Sequence, residues 1–178
     1  IWNRDDGFTH FGTRRNRFEL NDEGIAEFKQ EHPGLEEVPN LIGHRGDDIS
    51  LHSWIRSEFP SSSEAIIFTE FFGKNSFAGT HDPDDSKFLK IIDMSVDGEM
   101  QHPDWMFFVP RPFTPRQIYQ GKYSGALVED IRKNKFKTSE GAVIKGVNDE
   151  GSVVQCKVKT NNYMNKLKEH FGKQWIGY

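Results

Sequence analysis

The sequence has a single cysteine, Cys156, in 178 residues. That excludes a disulfide framework and leaves too few thiols for a cysteine zinc site. A lone thiol fits a reducing, intracellular setting, and a cytoplasmic location is expected. Long apolar runs are also missing. Hydrophobic residues make up 35% of the chain, and none of their runs approaches the ~20 residues of a membrane span. No membrane partner is expected, and no signal peptide is visible. Nor is there a basic excess. The formal net charge is -4, so no overall field draws nucleic acid in. Phosphate must then be held by local clusters of Lys and Arg.

Several motifs are absent as well. There is no Gly-x-x-x-x-Gly-Lys-(Ser/Thr) phosphate loop, and Ser61-Ser62-Ser63 lacks the glycines of a nucleophile elbow. The seven histidines are His10, His32, His44, His52, His81, His102 and His170, and no two have the i, i+4 spacing of a helical zinc site. They are read as structural or surface groups. His81-Asp82-Pro83-Asp84-Asp85 lacks the Gly and Glu of a calcium loop and reads as a solvated acidic loop.

Aromatics, by contrast, are plentiful. Fifteen Phe and 4 Trp argue for a folded core rather than disorder. A chain of this length suits a single domain over residues 1–178 and can bury roughly 70% of its extended surface.

Ile1-Trp2 reads as the end of a strand, Asn3-Arg4-Asp5-Asp6-Gly7 as a hairpin turn, and 8–15 as the returning strand. A helix is expected over 21–30, with Asn21 its N-cap, and an amphipathic helix over 49–59. Residues 65–72 and 88–96 read as buried strands, with 73–86 an exposed loop between them. A third strand is expected over 105–109. A helix lies around 125–131. Strands over 142–147 and 153–159 flank an Asn148-Asp149-Glu150-Gly151 turn, and a basic helix is expected over 162–172. The irregular mixture implies an α+β fold with mainly antiparallel sheets and flanking helices.

The last two strands carry the chemistry. Along 153–159 side chains alternate, so Val154, Cys156 and Val158 share one face and can pack in the core. Lys157 and Lys159 share the other. Two ammonium groups at fixed spacing suit a phosphoryl group, although such a pair also fits an ordinary solvated face. Upstream, Glu140-Gly141-Ala142-Val143-Ile144-Lys145 puts a carboxylate at the mouth of a strand and a lysine near its end. The carboxylate can hold Mg²⁺ against triphosphate oxygens, or it is merely a polar strand end. The tail cations Lys166, Lys168 and Lys173, with Tyr163, Phe171 and Trp175, suit either single-stranded RNA or packing of the aromatics on the domain.

Glu140 to Lys145, a turn and then Lys157-x-Lys159 together resemble motifs IV and V of the covalent nucleotidyltransferases. These are the ATP-dependent DNA and RNA ligases and the capping guanylyltransferases. Ile67-Phe68-Thr69-Glu70-Phe71-Phe72-Gly73 resembles motif III. Phe88-Leu89-Lys90-Ile91-Ile92-Asp93-Met94 resembles motif IIIa, and Phe11-Gly12-Thr13-Arg14-Arg15-Asn16-Arg17 resembles motif Ia. The motifs stand in family order, and the forms of motifs Ia and III look most like RNA ligases of phage and editing type.

The resemblance implies an adenylation domain that uses ATP with Mg²⁺ or Mn²⁺ and joins RNA 5′-phosphate and 3′-hydroxyl ends, acting as a monomer. It implies Lys157 and Lys159 on the α-phosphate, Lys145 as a supporting cation, and Glu140 on the metal. It also implies Glu70 on the ribose, Asp93 anchoring the base-binding strand, and Arg15 on phosphate or ribose. Ile92 stands where the family usually has an aromatic that stacks on adenine.

The family's nucleophile is the lysine of Lys-x-(Asp/His)-Gly, and no such motif occurs in the 178 residues. Arg4-Asp5-Asp6-Gly7 offers a guanidinium, which does not deprotonate. Ser95-Val96-Asp97-Gly98 offers a serine, and Lys122-Tyr123-Ser124-Gly125 falls after motif III. The motif is expected a strand's length upstream of Ile1, which makes the chain a fragment that cannot form lysyl-adenylate by itself.

Overall fold

A computed structural model describes residues 1–42, 51–74 and 87–172. They form an α+β structure with antiparallel sheets and flanking helices. Two compact units divide the chain, Ile1–Pro115 and Arg116–Tyr178. Two compact units can make up one domain or two, so this division leaves the single-domain expectation where it stood.

In the first unit β1 (Trp2–Asn3) and β2 (Gly7–Phe8) form the expected hairpin. Arg4, at its tip, donates from Nε to the Ser62 carbonyl at 2.6 Å and from Nη2 to the Phe59 carbonyl at 2.7 Å. The strand expected over 8–15 is two pieces. It breaks after β2, and β3 (His10–Gly12) pairs instead with β4 (Arg17–Glu19). Thr13 Oγ1 accepts from the Arg15 and Asn16 amides, so 13–16 turn rather than extend. Next, α1 (Asp22–Glu31) starts at Asn21, whose side chain accepts from Gly24 N as expected. A short α2 (Val38–Ile42) follows, and in this subcluster Phe28 packs edge to face on both Phe11 and Phe18.

The helix expected over 49–59 is α3 (Leu51–Glu58), with 49–50 outside the described residues. After it come β5 (Glu64–Phe72), β6 (Phe88–Val96) and β7 (Glu99–Met100). Most of the expected 73–86 loop, 75–86, lies outside the described residues, as do His44 and His81. The five-stranded order is β2-β1-β5-β6-β7. Its core face, with Trp2, Ala65, Ile91, Met94 and Val96, packs on Ile55, Trp105 and Val109. Each fully buried aliphatic there contributes about 1.5–3 kcal/mol.

The third strand expected over 105–109 is a 3₁₀ helix, Pro103–Phe108. Pro103 presets the first helical φ, and the His102 ring accepts from Asp104 N at 3.2 Å. These local signals outweigh an aromatic-rich composition that otherwise favours strand.

Trp2 is fully buried, and its indole N–H donates to His52 Nδ1 at 2.8 Å. His52→Leu orphans that donor. It should cost about 1–3 kcal/mol in denaturant unfolding, and an unchanged midpoint would show that the bond contributes nothing.

Asp97-Gly98 is the two-residue turn between β6 and β7, with φ of 49° and 87°, as a type I′ turn requires. The Asp97 carboxylate accepts from Ser63 N, Ser63 Oγ and Glu64 N, each at 2.9 Å. The Glu64 amide first, then the Ser63 hydroxyl, hold its pKa down from 3.8 to about 2. A depressed carboxylate contributes stability above pH 3.8 that is lost as pH falls through about 2. Asp97→Asn should therefore lower the melting temperature above that window and close the gap to wild type within it. A constant gap from pH 2 to 6 contradicts the assignment.

In the second unit α4 (Gly125–Arg132) starts at Ser124, whose side chain accepts from Leu127 N. Then come β8 (Gly141–Val147), β9 (Val153–Lys159) and α5 (Asn161–Phe171), close to the expected bounds. Leu127 and Ile131 of α4 pack with Val158, Ala142 and Ile144. The expected core face of β9 holds only in part. Val158 is buried, but Cys156 and Val154 are exposed, because within this unit α4 covers only the Val158 end of the hairpin. In α5, Tyr163 and Leu167 are buried, so Tyr163 follows the packing alternative, and Lys173 and Trp175 lie outside the described residues.

Candidate functional site

The β8–β9 hairpin sets the second unit's charged face. Its register opposes Gly141 to Lys159, Val143 to Lys157 and Lys145 to Gln155. In an antiparallel pair directly opposed residues share a face. Lys145, Lys157 and Lys159 therefore project together, away from the face of Ala142, Ile144 and Val158. Glu140 joins them, with its Oε1 2.7 Å from Lys157 Nζ. The side chains of Glu140 and Lys157 keep 33% and 49% of their exposure, so both charges stay reachable from solvent.

Two backbone devices hold Glu140 in place. Gly141 has a φ of 154°, and a Cβ there would run into the Val158 carbonyl and Lys159 Cα. Only glycine lets β8 start this close to β9. The Glu140 carbonyl then accepts from Thr160 N at 2.8 Å. Thr160 is fully buried, and its Oγ1 accepts from Tyr163 N at 3.2 Å as the N-cap of α5. Lys159 Nζ lies 5.2 Å from the centroid of the Tyr163 ring, a cation–π contact.

A shallow depression of about 320 Å³ is lined by Arg132, Lys157, Val158, Lys159, Asn161 and Met164. Three of its side chains are cationic and none is acidic. Asn161 is the first residue of an 11-residue helix, whose N-terminal end adds partial positive charge. Two of these cations already carry carboxylate partners, Lys157 with Glu140 and Arg132 with Glu129. Sequence reasoning missed Arg132 and Asn161. The Thr160-Asn161-Asn162 cap pattern could have flagged the helix start. Nothing in the sequence flags Arg132, whose placement follows from how Leu127 and Ile131 meet Val158.

The first unit brings Glu70, Ile92 and Asp93 to one pair of strands. Glu70 opposes Lys90, and Phe68 opposes Asp93, on the sheet face away from the core. Phe72 and Phe88 stack on that face with ring centroids 5.3 Å apart, and Lys90 Nζ lies 5.2 Å from the Phe88 centroid. The register shifts after Phe68, so Ile92 is the extra residue of a β-bulge. Ile92 belongs to none of the apolar clusters among the described residues. Arg15 is exposed at the tip of the β3–β4 hairpin, on a different sheet of the unit from Glu70 and Asp93.

The three near misses for the nucleophile motif have structural places. Arg4 ties down a loop, Asp97-Gly98 is a turn, and Ser124 caps α4. Among the described residues no three His, Cys, Asp or Glu side chains form a metal cage. Glu140 offers a carboxylate beside Lys157, and Glu129 pairs with Arg132 at 3.0 Å. That donor set suits Mg²⁺ carried on phosphate oxygens, since such ions take one or two carboxylates and keep the substrate's oxygens. No helix among the described residues is long and apolar enough to cross a membrane. Comparison with protein-family models, curated proteins and solved structures gives no match for this chain.

Proposed function

We propose that this chain is the adenylation domain of an ATP-dependent RNA ligase, with its phosphate-handling face on the β8–β9 hairpin. One observation carries the reading: Lys145, Lys157 and Lys159 project from one face, and Glu140 meets Lys157 at 2.7 Å. A carboxylate for a phosphate-borne cation and amines for the phosphate itself are the groups that nucleotidyl transfer needs. The order of the five motifs adds support.

In this reading Lys157 and Lys159 neutralise the α-phosphate, with Lys145 as a supporting cation, and Glu140 takes Mg²⁺ or Mn²⁺ that arrives with ATP. Bound metal would offset charge on the phosphate oxygens. The reaction served is adenylate transfer from a lysine to an RNA 5′-phosphate, followed by attack of a 3′-hydroxyl. Each step is mainly positioning and charge neutralisation.

A second reading shares the site without the chemistry: a module that binds nucleotide or RNA only. A DNA ligase or capping domain is the nearer alternative, and preference for GTP over ATP would point to capping.

The test joins binding to labelling. Calorimetry with ATP and Mg²⁺ should give saturable binding that Lys159→Ala weakens. Incubation with ATP labelled at the α-phosphate should leave no covalent label on these 178 residues. Label that survives denaturation would reveal a nucleophile other than the family's. No nucleotide binding by the folded protein would remove the ligase reading altogether.

A further inference from the structure

The ion pair between Glu140 and Lys157 joins the two groups that a metal-bound phosphate would need separately. The carboxylate suited to a cation already neutralises an ammonium suited to an anion. We propose that this pair is a latch that makes the hairpin take a polyphosphate together with its divalent cation and reject the bare anion. The proposal rests on the phosphate-binding reading above and adds the selectivity of that site.

The argument is one of partners. A bare triphosphate that reaches Lys157 must displace Glu140. The carboxylate is then left unpaired beside several phosphate charges, and like charges held close oppose binding. A metal–triphosphate complex splits the pair without that loss, since the cation takes Glu140 while a phosphate oxygen takes Lys157. The geometry keeps the exchange local. The Glu140 backbone is pinned through its carbonyl to Thr160 N at 2.8 Å, and Gly141 closes the strand start against β9. Only the side chain needs to swing. Lys159 Nζ lies 5.2 Å from the centroid of the Tyr163 ring.

Glu140→Gln tests the latch by a gain of binding. Inorganic triphosphate is titrated calorimetrically into wild type, Glu140→Gln and Glu150→Gln, with EDTA and then with Mg²⁺, at constant ionic strength. Glu150 is an exposed carboxylate in the β8–β9 turn and controls for the change in net charge. With EDTA, Glu140→Gln should bind roughly tenfold tighter than wild type, and Glu150→Gln should match wild type. Mg²⁺ should strengthen wild type several-fold more than Glu140→Gln. Equal binding of bare triphosphate by wild type and Glu140→Gln overturns the latch, and so does an equal gain in Glu150→Gln. If wild type still binds ATP with Mg²⁺ in that case, the nucleotide reading survives alone. If no folded variant binds triphosphate or ATP under either condition, both fall.

Discussion

Gly141→Ala is expected to destabilise the second unit by about 3 kcal/mol or more and to abolish anion binding at the hairpin. At a φ of 154° an L-residue is strained whatever space surrounds it, and here the new methyl would also meet the Val158 carbonyl and Lys159 Cα. Backbone cannot move aside as a flexible side chain can. Relief requires β8 to lift from β9 where Gly141 opposes Lys159, and lifting breaks the Thr160 N to Glu140 carbonyl bond and loosens the α5 cap. Urea unfolding followed by circular dichroism reads the stability, and triphosphate calorimetry reads the site. Gly146→Ala is the control, because a Cβ there meets nothing within 4 Å and its φ is ordinary. A loss in Gly141→Ala no larger than in Gly146→Ala would falsify the close-approach argument.

The same residue shows what could be read beforehand. The Glu140-Gly141 step and the Lys157-x-Lys159 step were visible as paired polar positions on alternating strands, and two-residue periodicity puts both lysines on one face. The antiparallel register that brings Glu140 to Lys157 was not visible, because it depends on how the Asn148 turn closes and on the Thr160 bond. β5 and β6 were legible as apolar runs between punctuated loops. The bulge at Ile92 was not, since a single extra residue leaves the composition unchanged. The errors share a cause. The 8–15 run and the 105–109 run both look extended by composition. A Thr13 turn divides the first, and Pro103 with a capping His102 coils the second, in each case through a local side-chain or ring constraint. Cys156 and Val154 were expected inside because alternation identifies a face. Alternation does not say whether anything covers that face.

Histidine illustrates the other side. No ligand spacing was found among the seven, and His52 and His102 turn out to serve single backbone or indole donors. A buried Trp2 N–H needs an acceptor somewhere, yet nothing in the sequence links residue 2 to residue 52. That link exists only once α3 packs against β1 and β5 in one core. Pairings across long sequence separations are the part of the structure that local reasoning reaches last.

Lys157→Ala and Lys159→Ala should each weaken binding of ATP with Mg²⁺ by about 10- to 100-fold. A hydrogen bond to a charged phosphate is worth about 1.5–3 kcal/mol, and each lysine supplies one such contact in the proposed site. Lys157→Ala also leaves Glu140 without its partner at 2.7 Å, so with EDTA an uncompensated carboxylate then faces the bare phosphate. The Lys159 ammonium lies over the Tyr163 ring. Neither change should disturb folding by more than about 0.5 kcal/mol, because both side chains keep access to water. The double variant Glu140→Gln/Lys157→Ala separates the two contributions. If the freed carboxylate adds to the loss, the double variant binds bare triphosphate better than Lys157→Ala alone, and the coupling appears as non-additivity in the cycle. Additive losses would mean that Glu140 and Lys157 act independently despite their contact. Wild-type affinity in both single lysine variants would mean that the anion sits elsewhere, and the nucleotide reading of the hairpin would go with it.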